Sequence, residues 1–176
     1  MLLDRLFRPR PARAAGHNLY VSAVAQARTP WLYAELAAPD TPEGRFEVYS
    51  LHVILLLDRM RGHGEPAGDV SQALFDTFVS GLDNALREMG VGDLSVGRKM
   101  RRLGEAFYGR CKSYEAAFAA LPDRGALEAL VTRTVYAEAD VSLAPRLTDY
   151  LLTQRAALAA QSLDRLLAGE ADWAGT

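Results

Sequence analysis

The chain has 176 residues and a formal charge of −2. That length buries roughly 70% of its unfolded surface in one domain, and the single cysteine, Cys111, excludes an internal disulfide framework and suits a reducing compartment. Charge is segregated: net +3 over residues 1–15, −5 over 16–85, +4 over 86–112 and −4 over 113–176, which argues against a general nucleic-acid coat and leaves room for one anionic partner surface.

The start, MLLDRLFRPRPAR, is too briefly apolar for a secretory signal and has no cleavage pattern. Leu2, Leu3, Leu6 and Phe7 alternate there with Arg5, Arg8 and Arg10. Two readings stand: a frayed or docked terminal segment, or a weak membrane contact through Leu3, Leu6, Phe7 and Arg8. Helical periodicity then dominates the chain, and strict alternation is almost absent. A first helix is expected over 17–28, with Leu19, Val24 and Ala27 inward, and a short aromatic turn follows Pro30. Thr41 and Pro42 are an N-cap and first helical residue. They open a central helix over 42–61 with Phe46, Tyr49, Val53, Leu56 and Met60 on one face. Its apolar run, Val53-Ile54-Leu55-Leu56-Leu57, is far short of the roughly 20 residues of a membrane span.

Asp69, with Gln72 three residues on, reads as the capping box of the next helix, whose face is Phe75, Phe78, Leu82, Leu86 and Met89. After Gly92 comes the cleanest stripe in the chain: Val96, Met100, Leu103, Phe107, Cys111, Tyr114 and Phe118. Leu121-Pro122 stops it, and Asp123 caps a shorter helix to Tyr136. One long helix is expected from Ser142 to Ala168, with Leu147, Leu151, Leu158 and Leu166 buried and Gly169 as its stop. The reading is all-α: a single globular domain of about six main helices, with room for two lobes. Its segments are a basic amphipathic stretch over 1–15, the helical domain over 16–170 and a short tail over 171–176.

No catalytic constellation appears. His17, His52 and His63 are scattered without metal-ligand spacing. Ser50 beside His52 is no nucleophile–base pair, because adjacent helical positions point apart. Cys111 lies on an apolar stripe, where small buried cysteines are common. The glycines of LREMGVGDLSVGRKM match neither phosphate-loop pattern. Instead Gly90 suits a left-handed helix end, Val91 packs back on it, and Asp93 or Ser95 caps the next helix.

The cations that follow invite more attention. Arg98, Lys99, Arg101 and Arg102 stand in the first turns of a helix, against the macrodipole. Either Glu88, Asp93 and Glu105 neutralise them, or they face an anionic partner such as RNA, lipid head groups or an acidic protein. The aromatics Trp31, Tyr33, Phe46, Tyr49, Phe107, Tyr108 and Tyr114 form either a core or an apolar groove.

Three stretches carry a resemblance: RTPWLYAELAAPDTPEGRFEVYSLH (28–52), LFDTFVSGLDNALREMGVGDLSVGRKMRRLGEAFYGR (74–110), and Tyr114 shortly after. The sequence from about 19 to 155 resembles the ubiquinol–cytochrome c chaperone family, most specifically in DxxLREMGVGDLSVGxxM…AFYGR starting at Asp83. The resemblance implies a non-enzymatic helical assembly factor with no cofactor. It implies binding of newly made cytochrome b, work near the ribosome exit, support of cytochrome bc1 assembly, and action beside a smaller helical partner. On that reading Arg98, Lys99, Arg101, Arg102 and Arg110 form the anionic-partner surface. Trp31, Tyr33, Phe46, Tyr49 and Tyr108 line a client groove, while Asp40, Arg45 and His52 are structural polar contacts or part of the site. The expected location is the cytoplasm of a bacterium, with peripheral contact at the inner membrane. An RNA- or ribosome-binding module, or a peripheral anionic-lipid binder, is the alternative.

Overall fold

A computed structural model describes residues 10–137 and 141–175, with the side chains of Arg10, Asp93 and Leu94 outside the description. The helices, in chain order, are α1 (Arg10–Ala27), α2 (Pro30–Ala34), α3 (Pro42–Met60), α4 (Glu65–Glu88), α5 (Asp93–Ala119), α6 (Gly125–Val131), α7 (Ala144–Ala160) and α8 (Leu163–Leu167). A π turn, Thr132–Tyr136, extends α6, and a 3-10 turn, Val141–Leu143, leads into α7. Six helices have seven or more residues and no strand occurs among the described residues, as the periodicity predicts. The membrane-contact candidates Leu3, Leu6, Phe7 and Arg8 lie outside the described residues.

The central helix is α3, which touches α1, α4, α5, α7 and the π turn. Thr41 Oγ1 accepts from Gly44 N–H at 3.0 Å and Pro42 opens the helix, as its cap sequence predicts. Residues 50–56 are all buried. Against one side lies the α1–α4 pair, which closes to backbone contact: a Cβ on Gly16 would stand 2.5 Å from Leu74 N and 2.6 Å from Ala73 C. Glycine is thus the residue that lets α1 reach α4.

α4 and α5 form a long antiparallel hairpin. Its turn is a Schellman motif, with Gly90 at φ 77°. Val91 N–H bonds Leu86 O at 3.0 Å, and Gly90 N–H bonds Arg87 O at 2.9 Å. Among the described side chains at the tip, Leu86 and Val96 are deeply buried, and neither belongs to the main core cluster. Met89, expected on the buried face, is 55% exposed because it caps the helix at the very end of the hairpin.

Three expected boundaries change. α1 begins at Arg10, not 17, and runs unbroken through the 15/16 boundary. α4 begins at Glu65, since Gly64 at φ 81° supplies the entry and Pro66 the first turn. Asp69 therefore sits inside the helix, and Gln72 donates to Asp76 Oδ1 at 2.9 Å instead of completing a capping box. The expected helix from 142 to 168 breaks at Gln161, whose ψ of 148° is extended. Arg59 fills the gap there, with Nε donating to Leu158 O and Nη2 to Gln161 O, each at 3.0 Å. The kink returns α8 to the body, so Leu166 is fully buried against α1 and α4.

Gly16→Val should lower unfolding free energy by about 1–3 kcal/mol in urea titrations followed by helical circular dichroism, through overpacking at the α1–α4 contact. Gly68→Ala, where an added Cβ meets nothing within 4 Å, should instead raise it by roughly 0.5–1 kcal/mol. Equal effects at both positions would contradict the close-approach account.

Candidate functional site

α5 spans 27 residues, about 40 Å. Its stripe of Val96, Phe107, Tyr114 and Phe118 is buried, with Met100, Leu103 and Cys111 half-buried. At 100° per residue, positions 98, 99, 101 and 102 fan over an arc of roughly 160° on the opposite side. All four cations are exposed. Among the described residues none of them makes an ion pair, although Glu88 and Glu105 lie close in sequence. Neighbouring cations behave differently: Arg87 pairs with Asp83 at 2.7 Å, and Arg61 with Glu115 at 2.5 Å. Tyr108, 63% exposed, flanks the arc with Lys112 Nζ 4.7 Å above its ring.

Arg110 stands apart from this surface. Its guanidinium makes a bidentate pair with Glu47, at 2.9 and 2.8 Å, that ties α5 to α3. Its charge is spent inside the protein. The five aromatics proposed for one groove also separate. Phe46 is 8% exposed and stacks on Phe78 at 6.4 Å, so its ring belongs to the core. Tyr33 and Tyr49 are half-buried under the guanidiniums of Arg45 and Arg28. Tyr33 OH donates to Ala27 O at 2.9 Å and Tyr49 OH accepts from Arg28 Nε at 3.0 Å. Burial pushes the Tyr33 phenol up to about 12. Asp40 pairs with Arg45, whose hydrogen bond holds its carboxyl below the usual range. Trp31 turns the other way, to Tyr150, with ring centroids 5.8 Å apart. Tyr108 lies on α5. With Phe46 in the core, the other four residues therefore fall into three patches, not one groove.

A fourth feature gathers around His52, which the sequence reading leaves between a structural polar contact and part of the site and whose partners it does not name. His52, 1% exposed on α3, lies 2.8 Å from Val48 O through Nδ1 and 2.7 Å from Tyr150 OH through Nε2. A carbonyl can only accept, so Nδ1 carries the proton and Nε2 accepts from the phenol. Tyr150 in turn accepts from Gln26 Nε2 at 3.0 Å. Burial drives the imidazole down to about 4, so it is neutral at pH 7. Trp173, in the nominal tail, meets His52 edge-on at 5.3 Å and donates Nε1–H to Ser22 Oγ at 2.9 Å. The sequence carried one signal: Gln154 interrupts the Leu147, Leu151, Leu158 stripe at a buried position, and a polar residue there needs a fixed partner.

No group of three or more His, Cys, Asp or Glu side chains could hold a metal among the described residues. Burial also raises the Cys111 thiol to about 11, which leaves it a weak nucleophile at neutral pH.

A family model described as ubiquinol–cytochrome C chaperone matches residues 34–173. This chain belongs to the ubiquinol–cytochrome c chaperone family. A solved structure described as the crystal structure of the Cbp3 homolog from Brucella abortus is similar to it, at 36% identity and a TM-score of 0.84, over 99% of this chain and 97% of that one. Among curated proteins none matches. The family match runs to Trp173, beyond residue 155 where the resemblance read from the sequence ends, so it takes in Trp173 as well as Tyr150 beside His52.

His52 makes stability depend on pH. The unfolded chain binds its proton below about 6.5 and the folded chain only below about 4, so stability should rise with pH between those values. Chemical denaturation at pH 7 and pH 4.5 should differ by up to roughly 3 kcal/mol from this group. His52→Gln should flatten that segment of the profile; an unchanged slope would refute the assignment.

Proposed function

We propose that this family member is a non-enzymatic chaperone that holds newly made cytochrome b for assembly of the cytochrome bc1 complex. Its α4–α5 hairpin carries the surface that meets an anionic partner. The observation behind the hairpin assignment is the set of four exposed cations, Arg98, Lys99, Arg101 and Arg102, without an acidic partner among the described residues. A chain that leaves like charges unpaired at a helix N-terminal end carries them against its own macrodipole. A partner that supplies negative charge accounts for them. The exposed Met89 at the same tip adds an adaptable apolar contact of the kind a membrane subunit needs. No helix among the described residues is long and apolar enough to cross a membrane. On the present reading the protein works in the bacterial cytoplasm, with peripheral contact at the inner membrane.

The same arc, with Tyr108 exposed beside it, also supports a second reading in which the partner is ribosomal RNA. Phosphate recognition and charged-protein recognition part company in salt: an RNA complex loses affinity steeply and linearly in log–log form.

Deletion of the gene should lower cytochrome b and assembled bc1 complex; normal levels of both would sink the chaperone reading. With a photocrosslinking probe at position 101, reversing Arg98, Lys99 and Arg102 to glutamate should abolish crosslinking of nascent cytochrome b. Unfolding free energy should stay within about 1 kcal/mol, since exposed unpaired residues contribute little to folding. Retained crosslinking in the reversed protein would remove the hairpin from the site.

A further inference from the structure

Residues 170–175 leave α8 at Gly169, where φ is 89°, and run extended and antiparallel along α7. Two glutamines hold them. Gln161 Oε1 accepts from Asp172 N–H at 2.8 Å, and its Nε2 donates to Asp172 O at 2.6 Å. Seven residues earlier on α7, Gln154 does the same for Ala174, at 2.8 and 3.0 Å. A glutamine amide carries the donor and acceptor of a peptide unit. The pair therefore binds the backbone of alternate residues as a neighbouring strand would. With the tail seated, Gln154 is fully buried.

Two sets of side-chain contacts add to the backbone clamps: Arg165 pairs with Glu170 at 3.1 Å and with Asp172, and Trp173 binds between the clamps. Trp173 points away from the glutamines, onto the His52 ring and Ser22 Oγ. The line of contact continues past Gly175. A cleft of about 280 Å³ follows α7 toward its N-terminus, lined by Trp31, Arg146, Asp149, Tyr150 and Thr153. The tail remains partly open to solvent: Asp172 is exposed, and Ala171 and Trp173 are half-buried, although Ser22 Oγ also donates to Ala171 O at 3.4 Å.

We propose that the α7 groove is a peptide-binding site for an extended segment bearing an aromatic residue, and that residues 170–175 are its intramolecular occupant, displaced when such a segment of a client arrives. Backbone clamps with one aromatic pocket suit an unfolded stretch of a newly made protein, which offers free peptide groups and few fixed surfaces. The groove stands on its own geometry; only the client's identity rests on the chaperone reading, and a test with the protein's own tail sequence separates the two.

A fluorescein-labelled peptide GEADWAG is titrated against the full chain by anisotropy. Wild type should bind it at least ten-fold more weakly than full-length Trp173→Ala, whose own tail competes less. Adding Gln154→Ala and Gln161→Ala to that variant should remove the gain, and a peptide with alanine for tryptophan should not bind. Equal or absent binding by wild type and a helical Trp173→Ala overturns the proposal. Wild-type hydrogen exchange tests it without a variant. The Asp172 and Ala174 amides should exchange at least ten-fold faster than the core amides of α7, and faster again with saturating peptide. Release of those two amides only with global unfolding, or no response to peptide, overturns it equally.

Discussion

Seven consecutive residues of α3, 50–56, are buried, so water reaches no side of that helix and each polar side chain on it needs a partner within the protein. His52 is the case that matters. It meets the demand with Val48 O and Tyr150 OH, and Tyr150 extends the chain to Gln26. One buried imidazole thereby fixes the relative positions of α1, α3 and α7. Trp173 closes the same cluster from the tail, and Ser22 on α1 receives its indole N–H. Ser50 Oγ is the exception: it is buried and finds no partner among the described residues.

Around this core the molecule divides its chemistry. The body, where α1, α3, α4 and α7 meet, ties its charges together: Arg155 to Asp58 at 2.8 Å, Arg110 to Glu47, Arg59 to the carbonyls of the α7 end. The tip of the α4–α5 hairpin does the reverse. Among its described residues it has little core of its own, shows Met89, and leaves four cations facing solvent. An arm with a thin interior adapts to a partner at small cost to the rest of the fold, because few buried contacts are coupled to it.

The helices themselves were largely legible. The stripe from Val96 to Phe118 is the buried face of α5, and Thr41-Pro42 and Gly90 start and end helices as their local chemistry requires. Local signals failed where a rival lay just outside the window. Asp69 and Gln72 form a fair capping box, yet Gly64 and Pro66 open α4 a turn earlier. The stripe through Leu166 suggested one long terminal helix, yet burial of Leu166 is achieved by a break at Gln161 that Arg59 stabilises. The arc at 98–102 was visible because four cations in five residues can be counted. The aromatic groove was not, because type and spacing do not say whether Phe46 faces Phe78 or a client.

The amino-acid sequence by itself determined the helical class, the family, the central place of α3 and the basic arc of α5. Each is written in local periodicity or in a contiguous motif, where neighbours in the chain are neighbours in space. Only the tertiary structure decided that Arg110 is internally paired, that the aromatics fall into three patches, and that Gln154, Gln161 and Trp173 bind the tail against His52. Those outcomes depend on partners 63, 20, 11 and about 120 residues apart. Hydrogen-bond geometry across such separations is set by how the helices pack, and no local pattern encodes it.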